Sequence, residues 1–510
     1  MRLNFLDPGL RRDDEQRINQ GFAGIHKATT RLISGLLAGW LMLVPATSAR
    51  AENLYSDLPD IGDSAGAIIS PEQEKQLGAY MMRQLRQSGI VLNNLEITAY
   101  LSSLGQRLVA NSDEPARQFT FFVVNEPSIN AFAGPGGYIG VHTGLFMASE
   151  NESELAGVLA HEVAHVTQRH LARAFEAADS LSVPRMAAML AAILVATQNA
   201  KAGMAGMAAI SAGSMQYQIN FTRSNEYEAD RVGLQTLANS GIDPYGMPRF
   251  FERLQKNSRL YGNRPPEFLS THPVTTNRIA EATSRAEGYP SGEIDNLDFQ
   301  LVRAKLKVFN FSDPQQVIED VQRYRDKSET AKVYKKYEYA LLLARIGKRG
   351  KALEILNRLH RDDPDRIMYR IDMARLYADS GNYDKAFDLY KDALSLYPGN
   401  LTILLPYAQT LLVSGKAPQA YKILSDIIKK QYSNPLIYKL LAQAAEETGR
   451  KVESHGAMSR YYNLNGNTGQ AIQQLQLAGR EPGVTDYENA RIQAKLKELQ
   501  ELLEEEHGME

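Results

Sequence analysis

Five residues, His161-Glu162-Val163-Ala164-His165, carry the spacing most able to do chemistry in this chain. The stretch before them, Glu152 to Ala160, is rich in helix formers, and Ser149 with Glu152 has the Ser-x-x-Glu spacing of a capping box, which predicts a helix beginning there. On a helix, positions four apart share a face, so both imidazoles address one point in space. Glu162 is rotated by about 100° from His161 and reaches a water held at that point rather than the same coordination site. The arrangement is that of a zinc hydrolase: two neutral imidazoles fix the metal, the pKa of a bound water falls to about 7, and the carboxylate takes its proton as the water attacks a peptide carbonyl.

A catalytic zinc needs a third protein ligand and an open position. The stretch Asn225 to Gly233 offers one at Glu226, in a helical segment that should stop at Gly241, with Pro244 just beyond. Asp230 lies four residues on, so the pair can act as ligand and as partner to a ligand.

With Asn130–Leu145 (NAFAGPGGYIGVHTGL) before the histidines and Thr271–Ile279 (THPVTTNRI) after Glu226, the chain resembles the M48 family of zinc metallopeptidases over residues 72–287. The resemblance implies one Zn2+ per chain, held by His161, His165 and Glu226, with Glu162 as general base and Asp230 as a second catalytic acidic residue. It also implies that the predicted strand Tyr138–His142 is a sheet edge facing the metal, where a substrate can add itself as a further strand. His142 then reads as a strand-face residue rather than a ligand. His272 resembles the family's T-H-P histidine, and three roles stay open for it: oxyanion donor, fourth ligand that latches the site shut, or structural residue at a helix entry.

The elements that must position these residues follow from periodicity. Helices are expected over 73–88 and 95–112, a buried strand over 119–125, and a turn at Gly134–Gly137. His170, five residues after His165, falls off the metal face of a continuous helix and is expected to pack or hydrogen-bond structurally. Residues 181–215 hold five of the 15 methionines and only Arg185 and Lys201 as charges, and read as a mobile apolar flap or a buried helical hairpin.

From about Ala331 the pattern becomes a repeat. Gly347, Gly381, Gly415 and Gly449 recur every 34 residues, as do Ala340, Ala374, Ala408 and Ala442, with Ala352, Ala386 and Ala420 five after their glycines. This is the tetratricopeptide signature, an α-solenoid of helical pairs that offers a groove to peptides. Ser454 replaces the alanine in the fourth unit, and a charged helix over 487–506 is expected as a cap.

The fold class expected is therefore mainly α: a helical zinc-metallopeptidase domain with a small β-sheet, followed by the solenoid. The predicted divisions are an N-terminal extension and signal peptide at 1–51, the metalloprotease domain at 52–293, connecting helices at 294–330 and the repeats at 331–510. Lys27 and Arg31, an apolar run from Leu32 to Val44 and small residues at Ala49 and Ala51 predict export with cleavage after Ala51. Thirteen apolar residues are short of the roughly 20 that a spanning helix requires. The polar stretch 1–26 ahead of them is what a start codon assigned too far upstream would produce. Cysteine is absent, which excludes thiolate metal sites and disulfides. A net charge of −2, without clustering, gives no footprint for nucleic acid.

Joined to the repeats, the resemblance implies a periplasmic endopeptidase of cell-envelope quality control. Its substrates would be unfolded or misfolded outer-membrane β-barrel proteins, and its partner the machinery that assembles them; peripheral membrane contact is left open. The alternative is a chaperone or assembly scaffold with a normally latent protease site.

Overall fold

The computed structural model describes residues 69–177, 212–260, 266–310, 319, 332–430 and 433–509. The signal-peptide region and most of the apolar segment 181–215 lie outside them.

Helix α1 (Pro71–Gln87) starts with a full capping box, in which Ser70 accepts from the Gln73 N–H and Gln73 accepts from the Ser70 N–H, with Pro71 in the first turn. The Asn94 side chain caps α2 (Leu95–Val109) by accepting from the Ile97 N–H. Strands β1 (Thr120–Val124), β2 (Ala131–Gly134) and β3 (Tyr138–His142) form one sheet in the order β1-β3-β2. β3 pairs in parallel with β1 and antiparallel with β2. The expected edge strand is thus the central one, because the Pro135–Gly137 turn folds β2 back along it, with Gly136 and Gly137 at φ 68° and 76°. The free edge belongs to β2.

After α3 (Thr143–Ala148), helix α4 (Glu152–Thr167) carries the two histidines. Its cap is Asn151, which accepts from the Glu154 N–H. Ser149 instead ends α3, its hydroxyl donating to the Leu145 carbonyl, so the predicted capping box does not form. Apolar residues surround α4: Leu155, Val158, Leu159 and Val163 are fully buried in one core with Val141 of the sheet, Leu234 and Leu237 of α6 (Ala212–Asn239), and Phe250 and Phe251 of α7 (Gly246–Leu260). A helix buried on every side must be apolar all round, which is how α4 reads apart from its chemistry. α6 crosses it closely, since a Cβ on Gly233 would stand 3.0 Å from the Ala160 carbonyl and the His161 nitrogen.

Short α5 (His170–Ala177) follows α4; α8 (Glu267–Thr271) and α9 (Thr276–Ala286) complete the peptidase core, and α10 (Leu297–Asn310) leads out of it. The repeats then run as helical pairs: α11 (Val333–Arg345) with α12 (Arg349–Asp362), α13 (Ile367–Ala378) with α14 (Tyr383–Leu396), α15 (Leu401–Val413) with α16 (Ala417–Ile428), and α17 (Pro435–Glu447) with α18 (Lys451–Leu464). α19 (Thr468–Ala478) and the charged α20 (Asp486–Met509) end the array. The recurring alanines are buried at helix crossings, and the recurring glycines sit at φ 73–79° with no atom near the place of a Cβ, so it is backbone conformation that requires them. Ser454 fits the alanine register because its hydroxyl donates to the Ala442 carbonyl.

The two halves share a buried charged joint. Lys305 on α10 lies 3.3 Å from Glu96 of α2 and 2.9 Å from Asp372 of α13, while Arg375 of α13 reaches Glu96 at 2.7 Å and Tyr337 of α11 donates to Asp372. Further along, Arg86 of α1 donates to the carbonyls of Ser433 and Leu464. Burial pushes the Glu96 carboxyl up, but the Lys305 and Arg375 cations outweigh it and hold the group below its ordinary value. A carboxyl with a depressed folded pKa stabilises the fold above its unfolded value, about 4.3, and loses that contribution as pH falls through the folded value. Melting temperature should therefore fall as pH drops below about 4, and Glu96→Gln should flatten that slope while lowering stability at neutral pH. Equal slopes in a thermal scan from pH 3 to pH 7 would refute the assignment.

Candidate metal centre

Three elements far apart in the chain deliver the site. α4 presents His161 and His165, α6 presents Glu226, and the residue closing α8 is His272. His161 and Glu162 are fully buried, and Glu226, Asp230 and His272 nearly so.

His161 Nε2 lies 3.0 Å from His165 Nε2, 3.4 Å from a Glu226 oxygen and 3.3 Å from His272 Nδ1. Glu226 is 3.4 Å from His165 Nε2 and 3.0 Å from His272 Nδ1. Four ligand atoms at 2.0–2.1 Å from a tetrahedral centre stand about 3.3 Å from one another, so the donor set fits a tetrahedral divalent metal. The sequence-predicted ligands thus meet, and His272 joins them as a fourth donor within reach.

Each imidazole is held from behind. Asp230 Oδ1 lies 3.0 Å from His161 Nδ1, on the side of the ring away from Nε2. Arg278 of α9, fully buried, grips Asp230 at 2.7 and 2.8 Å, touches Glu226 at 2.8 Å and donates to the Pro273 carbonyl at 2.9 Å. Asp230, expected as a second catalytic acidic residue, thus lies against the side of the His161 ring away from the donor cluster. Burial raises the Asp230 carboxyl, but Arg278 and His161 more than reverse this and hold it low. Burial likewise opposes charge on His161, yet Asp230 and Glu226 outweigh it and bring the imidazole up to about 9. Glu226 is held far below the carboxylate range by the imidazoles around it, despite its burial. The pocket favours a cation at its centre.

Glu162 differs from its neighbours. No side chain hydrogen-bonds its two buried oxygens; its polar neighbours are the Ala133 backbone of β2 and His272 Nε2, 3.6 Å from one oxygen. Burial lifts its carboxyl, with His272 and His161 pulling the other way. A buried carboxylate with so few polar neighbours is costly, and this one opens onto a cleft of about 250 Å³ lined by Phe132, Ala133 and Gly134 of β2, His165, Glu226 and His272. The outer strand that borders the cleft is β2, and not the predicted Tyr138–His142.

His142 lies apart from the cluster: its Nδ1 is 2.8 Å from the Ser128 hydroxyl, and burial pushes its pKa down to about 4. Sequence reading missed Arg278 and the partner of His170. Arg278 was on the page within T-H-P-V-T-T-N-R-I, but no spacing rule links it to Glu226 and Asp230. His170 Nδ1 lies 2.7 Å from His165 Nδ1, and its Nε2 lies 3.1 Å from Glu228.

A buried His-Glu-His-His donor set with a free carboxylate beside it and a sheet edge at its rim defines a metallopeptidase site. The model of peptidase family M48 matches residues 96–286, and that of the tetratricopeptide repeat matches residues 377–444. The chain is 35% identical over 478 residues to the beta-barrel assembly-enhancing protease of Escherichia coli strain K12, covering 93% of this chain and 97% of that one. It is 33% identical over 480 residues to the protein of the same name in Yersinia pestis, covering 93% and 98%. A shorter match, 35% over 151 residues, covers 30% of this chain and 28% of the mitochondrial metalloendopeptidase OMA1 of Arabidopsis thaliana. The chain belongs to the M48 metallopeptidases, in the group of the beta-barrel assembly-enhancing proteases, and it is a metalloendopeptidase.

Proposed function

We propose that this protein is an exported zinc endopeptidase of the periplasm that degrades unfolded or stalled outer-membrane β-barrel proteins, its repeats assisting their assembly beside the assembly machinery. The observation that carries the reading is the cluster of donors from His161, His165, Glu226 and His272, all within 4.8 Å of one another, next to the buried Glu162 carboxylate. The full-length likeness to proteases named for β-barrel assembly supports the choice of substrate. Bound there, zinc supplies Lewis acidity and an acidified water.

The chain's own part is to orient and to move a proton. Asp230 and Arg278 fix His161, and the β2 edge aligns an extended backbone whatever its side chains. Glu162 accepts the proton of the attacking water and returns it to the leaving amine. Backbone recognition suits substrates that share an unfolded state rather than a sequence. A urea-unfolded outer-membrane barrel should be cleaved, the same barrel folded in detergent should resist, and a chelator should abolish cleavage until zinc is restored. Equal cleavage of folded and unfolded barrel would refute the substrate assignment.

His272 is the latch in this reading. Its Nδ1 stands where a fourth ligand stands, and the Phe268 ring stacks on it at 4.8 Å. His272→Ala should raise the initial rate of peptide hydrolysis at matched zinc occupancy. A fall of about a hundredfold would instead identify an oxyanion donor, and no change a structural residue.

A further inference from the structure

We infer that His170, held in turn by Glu228, is the positioning residue of the metal ligand His165. In an uninterrupted helix, His170 would lie about 140° round from His165 and the rings could not meet. The helix is interrupted: α4 ends at Thr167, Arg169 takes a left-handed φ of 53°, and α5 begins at His170. A non-glycine residue at positive φ is strained, and its effect here is to swing the buried His170 ring onto His165. The ring centroids are 4.7 Å apart at 78°, with the two Nδ1 atoms at 2.7 Å.

The direction of the hydrogen bonds follows from chemistry. Glu228 is an acceptor, so His170 Nε2, 3.1 Å away, carries the proton. His170 Nδ1 is then a bare lone pair, and the donor between the two Nδ1 atoms must be His165. That leaves the lone pair of His165 on Nε2, the atom facing His161 Nε2 and Glu226. Arg173, one turn along α5, holds Glu228 at 2.6 Å and fixes the far end of the relay. α6 thus serves the site three times at alternate residues: Glu226 as ligand, Glu228 behind His165 through His170, and Asp230 behind His161.

This inference rests on the metallopeptidase reading. It is tested by zinc affinity, measured by competition against a chromophoric chelator, together with the melting temperature of the metal-free protein. His170→Leu should weaken zinc binding about 10- to 100-fold. His170→Asn, whose amide oxygen falls close to the position of Nδ1 and can accept from His165, should keep affinity within about threefold of wild type. The two variants should melt alike without metal. In cobalt-substituted protein, the visible ligand-field bands should change in His170→Leu and stay in His170→Asn. Zinc affinity within twofold of wild type in His170→Leu, or an equal loss in His170→Asn, would overturn the inference. Should His170→Leu fail to fold, Glu228→Ala takes its place, and unchanged affinity there would overturn it equally. Wild-type protein that binds no zinc would instead refute the metallopeptidase reading itself.

Discussion

Glu162→Gln should abolish proteolysis, by about 10²- to 10⁴-fold in kcat, while zinc content stays at the wild-type level. The separation is expected because no Glu162 oxygen belongs to the group of four donors, whereas both oxygens are buried and bonded by no side chain. The amide is close to isosteric and cannot take a proton from water. Replacing a fully buried carboxylate by a neutral group also removes a desolvation penalty that its contacts with His272 and the Ala133 backbone only partly offset, so the variant should melt close to the wild-type temperature. Metal analysis, casein digestion and a thermal scan on one preparation decide the matter. Loss of zinc in this variant would show that Glu162 is a ligand and remove it from the role of base.

The second large effect is expected at Arg278. Its guanidinium contacts both Asp230 and Glu226, and all three are almost wholly buried. Burial disfavours its charge, but these carboxylates more than compensate and hold its pKa up. Arg278→Met leaves two carboxylates facing one another without that counter-charge, at a cost of about 3–5 kcal/mol to the metal-free protein. It also frees Asp230 from behind His161, so zinc affinity should fall about 10- to 100-fold. Zinc should restore part of the lost stability, since a bound cation replaces some of the missing charge. Urea unfolding with and without zinc measures both quantities. A metal-free variant within about 1 kcal/mol of wild type would refute the role of Arg278 as the electrostatic keystone of the site.

What was legible in the sequence was local or periodic. His161 and His165 announce their shared face through a spacing of four, and the solenoid announces itself through 34-residue registers whose alanines and glycines each have a geometric duty. What was not legible depends on pairing across distance. The sheet edge was misassigned because Ala131–Gly134 is short and lacks β-branched residues, so only the Pro135–Gly137 turn shows that it pairs and leaves an edge. The cap of α4 was misplaced by two residues because Ser149 had a rival use at the end of α3. His170 does lie off the metal face and hydrogen-bonds structurally, as its position implies, but its partner His165 could not be foreseen, because the left-handed Arg169 that brings the rings together leaves no mark in the spacing. The repeats looked like a separable module, yet Glu96, Lys305 and Asp372 are charged residues that only their meeting explains. Deleting 331–510 would take Asp372 and Arg375 away from Lys305 and Glu96 and open that joint to water, so truncation would alter the peptidase half as well.

The origin of the donors in three separate helices has a consequence for the order of events in folding. His272 contacts partners 111 and 46 residues earlier in the chain. Contacts of such separation close large loops and form late, after local helices and hairpins. The two histidines of α4 are together as soon as one turn of helix exists, but they cannot make a complete centre until α6 has crossed them at Gly233 and α8 has docked. A chain still collapsing therefore holds at most a weak, two-point grip on metal until α6 brings Glu226 to the pair, and the closing of the site by His272 comes later still, with the docking of α8.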